Sequence, residues 1–378
     1  MRLPALTDWR GRPLLAGLDA ENLRDWRGEA TILTPRLKYE LSRRYNGAPS
    51  VKWCETEVTR VWRAGCRGNV ASVLIEKPAR GDFLPILDGG YSLQYSPLME
   101  YREGKGVVIF CQLDVTGRTE TDPAAERLAR NILDYVSAPG TAGVPRPDGW
   151  KPAAKGKAVY AGDPAGRSHL EKAGVSVGSY EGGALSADQV LIVGPGGGQK
   201  LAASAPAVGA WLKAGGRLLA IGLDEQNASA LLPLKVTMKK AEHISTYFEP
   251  FGADSPLAGI GPADVHNRDP RQLPLVSAGA AVVGNGVLAT AENANVVFCQ
   301  LVPWEFDYAK QYNLKRTYRR ASFVVARLLA GMGVAGSAPV LARFASPVDA
   351  AKPEKRWLDG LYLDQPEERD DPYRFFRW

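Results

Sequence analysis

Four cysteines and three histidines are all that the 378 residues offer to thiolate, imidazole or zinc chemistry. Cys54, Cys66, Cys111 and Cys299 make no C-x-x-C pair, and none stands beside a histidine in sequence, so neither a metal site nor any other cofactor is expected. His169, His243 and His266 leave few triad options, and each reads as a lone histidine on a surface helix or loop. No apolar run reaches membrane-spanning length, and the opening "MRLPALTDWRGRP" has no apolar core of a signal peptide. The net charge of +6 is spread over the chain without a concentrated basic stripe, so nucleic acid is not an expected partner.

What is present is a phrase used twice. "VVIFCQL" (Val107 to Leu113) returns as "NVVFCQL" (Asn295 to Leu301). Each copy follows a turn-rich tetrapeptide, "EGKG" or "ENAN", and reads as the second strand of a β-hairpin. Each leads into a helix with one apolar face, Leu128, Ile132 and Val136 in the first and Val324, Leu328 and Met332 in the second. Asp122 before Pro123 predicts an N-cap with proline at the first helical position. "LLAGLDAENLRDWR" is echoed by "PLAGIGPADVHNRDPR", so three matched segments occur in the same order and argue for an internal duplication of two long units.

The composition, 45% hydrophobic and 23% charged, is that of a globular chain with room for about two domains. The second unit, residues 157–335, alternates strand and helix: "KAVYAG", a helix around "SHLEKAG", "VSVGSY", "QVLIVGPGGG", a helix in "SAPAVGAWLKAGG", then "RLLAIG". That order predicts an α/β fold with a doubly wound, flavodoxin-like parallel sheet. The first unit, residues 1–136, matches only the later part, so it reads as a partial copy truncated at its N-terminus, and the chain as beginning inside a domain. Residues 137–156 read as a Pro- and Gly-rich linker, and 336–378 as an extended arm packed on the domains. A sheet without its first strands leaves an apolar edge, so self-association is expected.

Two glycine motifs fail on inspection. "GPGGGQK" has Gln199 where both the phosphate loop and the dinucleotide fingerprint require something else, so its glycines read as a tight turn. "GVSVG" matches the nucleophile-elbow spacing around Ser176, but a helix precedes it and "VSV" alternates like a strand.

"RLLAIGLDEQ", with "IVGPGGG" and "AVGAWLKAGG" ahead of it, resembles the strand-to-turn element of class I glutamine amidotransferase-like domains. In that family a G-x-C-x-G turn presents a nucleophilic cysteine; here Leu223 holds the cysteine position and Glu225 the final glycine, and no H-x-E pair follows. The resemblance therefore implies the tandem amidotransferase-like fold and argues against acyl transfer. Over nearly the whole chain, "GLDAENLRDWRGEATI", "GNVASVLIEKPARGDFLPILDGGYSLQYSPLMEYREGKGVVIFCQLDVTGRTETDP" and "WLDGLYLDQPEERDDPYRFFRW" resemble the carboxyl-terminal accessory region, β-galactosidase trimerisation-like, of large bacterial glycoside hydrolases. The catalytic carboxylates of such enzymes lie on a barrel of about 250 residues, for which this chain has no room.

The expected partners are therefore an upstream catalytic barrel of the parent enzyme, a second copy in a homo-oligomer, and carbohydrate, with a periplasmic or extracellular address only through the parent. Beyond the carboxyl ends of the strands, the sequence places Asp114 and Arg118 after the first repeat, and Trp304 and Glu305 after the second. Aromatic and acidic side chains suit sugar contact; the competing reading is loop residues that hold domains together. A stand-alone enzyme of the same fold, trehalose-utilisation-like or esterase-like, and a carbohydrate-binding module are the alternatives to a non-catalytic accessory module.

Overall fold

The computed structural model describes residues 13–20, 22–23, 37–42, 50–53, 56–59, 71, 75–89, 93–103, 106–137, 156–252 and 255–338. Cys54, Cys66, most of the linker and all but the first residues of the arm lie outside them. In chain order, β1 (Leu37–Ser42), β2 (Ser50–Trp53) and β3 (Thr56–Thr59) form an antiparallel ribbon. A second antiparallel sheet holds β4 (Ile75–Glu76), β5 (Asp82–Gly89), β6 (Tyr95–Glu103) and β7 (Gly106–Cys111). The helix α1 (Pro123–Ser137) follows.

The later part carries β8 (Lys157–Ala161), α2 (Pro164–Lys172), β9 (Val177–Ser179), β10 (Gln189–Val193), α3 (Gly197–Lys200) and α4 (Ala205–Lys213). Next come β11 (Arg217–Ile221), α5 (Glu225–Leu231), β12 (Thr237–His243) and β13 (Arg271–Ala278). The last elements are β14 (Ala281–Val283), β15 (Leu288–Ala291), β16 (Val296–Cys299) and α6 (Lys315–Gly331).

Five strands run parallel in the order β16-β11-β10-β8-β9, and β15 and β14 extend the β16 edge antiparallel. By chain order this is the 2-1-3-4-5 winding of flavodoxin-like sheets. The cause is visible in the strands, which are apolar on both faces. Ala158, Tyr160, Val190, Ile192, Leu219 and Ile221 face α2 and α6. Val159, Leu191, Val193, Leu218 and Ala220 face α4 and α5. Each fully buried Leu, Val or Ile contributes about 1.5–3 kcal/mol through removal from water.

The two copies of the repeated phrase occupy like elements. Cys111 ends β7 opposite Leu98, and Cys299 ends β16 opposite Leu288, each in the third strand of a meander. The thiols lie 4.0 Å from Leu113 O and 3.6 Å from Leu301 O, two residues on in each case. Asp122 caps α1 as its sequence requires, with Oδ1 accepting from Ala124 N at 2.9 Å and Ala125 N at 3.2 Å. The face of α1 is turned from the expected one: Ala125, Leu128, Asn131 and Tyr135 are buried, whereas Val136 is 45% exposed. The Asn131 amide, donating to Leu14 O and Ala16 O, and the Tyr135 hydroxyl, donating to Glu100 Oε2, fix that rotation.

Helix α6 lies against both sheets. Val324, Val325, Leu328 and Leu329 pack into the parallel sheet's core. Its basic residues, Lys315, Arg316, Arg319, Arg320 and Arg327, are buried as well. Arg319 pairs with Glu76 of β4, and Arg327 reaches Asp82 Oδ1 at 2.7 Å and Phe83 O at 2.9 Å. Charges removed from water in this way require partners, and losing one partner of a buried pair costs about 3–5 kcal/mol.

Candidate functional site

In a doubly wound sheet, ligands bind beyond the carboxyl ends of the strands where the strand order reverses. That point lies here between β8 and β10. After β8 the chain turns through Gly162, and Asp163 caps α2 by accepting from Gly166 N at 2.6 Å. After β10 it runs through Gly194, Pro195, Gly196, Gly197 and Gly198. The protein fills this crevice with its own atoms. A Cβ on Gly162 would stand 3.0 Å from Gly194 Cα, and one on Gly197 would stand 2.9 Å from the Ala161 carbonyl carbon. The Tyr160 phenol lies against Gly162, Gly166 and Gly194. Burial, and then the charge of Asp163, push that phenol's pKa up.

Two of the loop amides that a phosphate would use are also engaged. Gly197 N donates to Gly194 O at 3.0 Å, and Gln199 N to Asn227 Oδ1 at 3.2 Å. A cradle for phosphate requires free N–H groups converging on one point. The glycines instead bring loop and helix backbones together, in keeping with the turn reading of "GPGGGQK".

The residues after β16 meet the residues after β8 next to this crevice. Trp304 Nε1 donates to Asp163 Oδ2 at 3.1 Å. The indole centroid is 5.5 Å from the His169 ring, which meets Tyr318 edge-on at 6.1 Å; Tyr318 lies 4.5 Å from Tyr308. His169 is thus an interior residue, 4% exposed, and not the surface histidine expected from sequence. Burial, then the charge of Lys172, lower its pKa to about 4, so it is neutral at ordinary pH. Glu305 is exposed at the rim. Desolvation by the surrounding protein raises its pKa, with Arg271 opposing and Asp163 adding. Arg271 donates to Glu305 O at 3.2 Å and lies 4.4 Å from the centre of the Phe306 ring.

Trp304 and Glu305 are therefore brought together, but Trp304 is half-buried with its N–H engaged, which anchors the 303–305 turn on α2. Asp114 and Arg118 lie elsewhere. Both are sealed from solvent, at 0% and 1% exposure, and pair with each other at 3.3 Å. Thr121 N and Asp122 N donate to Arg118 O in the turn ahead of α1, so both side chains lie in the interior beneath that turn and not at an open surface.

Leu223, at the position where the sequence resemblance would put a nucleophile, has 0% exposure and packs with Leu218, Ala228 and Leu231. The preceding Gly222 takes φ +62°, and the following Asp224 caps α5 by accepting from Asn227 N at 2.7 Å. The turn keeps its sharp backbone but points its side chain into the core. Cys299 is an inert thiol, pushed up to about 12 by burial, and burial raises Cys111 too. His243, fully buried, has Val265 O at 2.6 Å from one ring nitrogen and Asn285 Nδ2 at 2.9 Å from the other, so it too departs from the surface expectation. Ser176 is exposed just ahead of β9. Sequence reasoning missed Tyr160 and Arg271, which lie in strands and carry no motif.

No protein-family model matches the chain, and no curated protein matches it in sequence. Among solved structures, the chain is similar to the structure of PurLQS from Thermotoga maritima at 14% identity, covering 46% of this chain and 98% of that chain, with a TM-score of 0.33. A likeness at that level carries no argument, and the α/β, flavodoxin-like assignment rests on the strand order.

Proposed function

We propose that this chain is a non-catalytic accessory and assembly module of a β-galactosidase-type glycoside hydrolase, built from tandem amidotransferase-like units of which the first supplies only the meander-and-helix part. The observation that carries the non-catalytic reading is Leu223, a fully buried hydrocarbon where the fold would present its nucleophile. The amide-engaged glycine loop and the raised thiols of Cys111 and Cys299 support it. The tandem reading draws support from the matched positions of Cys111 and Cys299, each closing a meander ahead of a helix. The glycosidase parent rests on the sequence resemblance alone.

The test assays the purified chain for glutamine, ester and aryl-glycoside hydrolysis, and removes the same segment from a full-length parent. No turnover by the chain, with loss of assembly or stability of the parent, is the expected pair of results. Robust glycoside turnover abolished by one Asp or Glu substitution within these residues would overturn the reading.

A further inference from the structure

Lys77, just after β4, lies between two carboxylates from opposite parts of the chain. Its Nζ is 2.7 Å from Asp88 Oδ1, at the end of β5, and 2.9 Å from Asp264 Oδ1, in the loop before β13. All three side chains are 1% exposed. The far oxygens, Asp88 Oδ2 and Asp264 Oδ2, both border Gly261, at 3.6 and 3.8 Å from where its Cβ would stand. Gly261 N donates to Asp264 Oδ2 at 2.8 Å, whereas Asp88 Oδ2 has no hydrogen-bond partner among the described residues. From α6, the Phe323 ring lies 5.3 Å from Lys77 Nζ, Arg319 is turned to Glu76, and Arg327 to Asp82. On the loop side, burial and then the charge of Arg320 lower the pKa of His266.

One ammonium between two sealed carboxylates leaves an excess negative charge when both ionise, and that state is strongly disfavoured away from water. We propose that Lys77, Asp88 and Asp264 form a proton-linked clasp between the antiparallel sheet and the flavodoxin-like unit, closed while Asp88 holds a proton and loosened when it loses it. Burial raises Asp88 to about 7, with Lys77 opposing and Asp264 adding. Burial alone would lower Lys77, but Asp264 and Asp88 outweigh it and keep it charged. The sign follows: an acid raised in the closed state binds more protons there than when open. The clasp is strongest below the ordinary aspartate range and weakens as pH rises from about 4 to about 7.

The test is hydrogen exchange of the full chain, read by mass spectrometry on peptides spanning 82–89 and 261–267 and corrected for intrinsic rates. Within that window, protection in both peptides should fall by up to about tenfold per pH unit. Asp88→Asn should flatten the fall in both peptides while leaving those from β10 and β11 unchanged. Asp264→Asn, which keeps an oxygen for Gly261 N, provides a second reading should Asp88→Asn fold poorly: it removes the neighbouring charge that raises Asp88, so the fall should end at lower pH and be smaller in total. A pH-independent wild type, or a pH profile unaltered in whichever variant folds, would overturn the clasp.

Discussion

Gly198 offers the sharpest test of whether the loop after β10 is a ligand cradle or a packing joint. A Cβ there would stand 2.7 Å from the Asn227 carbonyl carbon and 2.9 Å from Asn227 Cα. Carbon atoms pack at about 3.5–4.0 Å, so the overlap approaches 1 Å against backbone that cannot rotate away. Nor can α5 retreat freely, because Asp224 caps it and Glu225 Oε2 accepts from Met238 N at 2.9 Å. Overpacking of this kind costs about 1–3 kcal/mol, so Gly198→Ala should lower stability by that amount, and Gly197→Ala, against Ala161 and Val193, by a similar one.

The control is Gly178 in β9, where a Cβ would meet Val159 Cγ1 at 3.5 Å in ordinary contact. Gly178→Ala should be neutral or stabilising by about 0.4–1 kcal/mol, through the unfolded chain's lost freedom. Urea unfolding followed by two probes, with the midpoint shift compared at constant slope, separates these outcomes. If Gly198→Ala is as stable as the parent, the two backbones are not in close approach. The loop would then have room for a ligand, and the packing account of "GPGGGQK" fails.

Three further outcomes follow from other sites. Glu292, Asn293 and Ala294 take φ +49°, +55° and +65° in the β15–β16 turn, so Ala294→Gly should raise stability by about 1 kcal/mol in the same urea assay. Leu223→Cys should confer no glutaminase activity, and its thiol should resist a disulfide reagent until the chain unfolds, because the side chain points into the core. His169, lowered to about 4 in the fold, contributes stability present above its ordinary 6.5 and lost as pH falls towards 4; His169→Phe should remove up to about 3 kcal/mol of that acid sensitivity, measured by thermal unfolding across that window.

What the sequence made legible was whatever repeats or alternates. The pentads "KAVYA", "QVLIV" and "RLLAI" declare buried parallel strands because both of their faces are apolar, and Asp122–Pro123 declares a helix start by chemistry local to four residues. Burial of the histidines was not legible, since it depends on which helix face meets Trp304 and Tyr318 from distant segments. Asp88 did leave a trace, a carboxylate inside the run "FLPILDGG", but its partners Lys77 and Asp264 come from either side in sequence and no spacing rule joins them. The burial of the α6 charges was no more legible: nothing local in five basic residues out of seventeen tells that Arg319 and Arg327 meet carboxylates of the second sheet.

That covering sheet bears on how the chain divides. A boundary at 137–156 follows from composition, and composition alone would make the two sides independent. Yet α6, from the far end of the second unit, has its outer charges paired with the first: Arg319 with Glu76, and Arg327 with Asp82 at 5% and 20% side-chain exposure. Lys77 reaches Asp264 across the same junction, and the Tyr101 hydroxyl donates to Ala338 O. Separating the parts would expose Phe83, Met99 and Tyr101, which share a buried cluster with Ala338, and would leave each charge without its partner. Stripping one partner from a buried pair costs about 3–5 kcal/mol, and the pairs act together. A protease site inserted between residues 137 and 156 and cleaved after folding should therefore leave both pieces eluting as one species in gel filtration, while Arg327→Met with Lys77→Met should let them part. Pieces that separate on cleavage alone would show that the junction is an ordinary linker between independent domains.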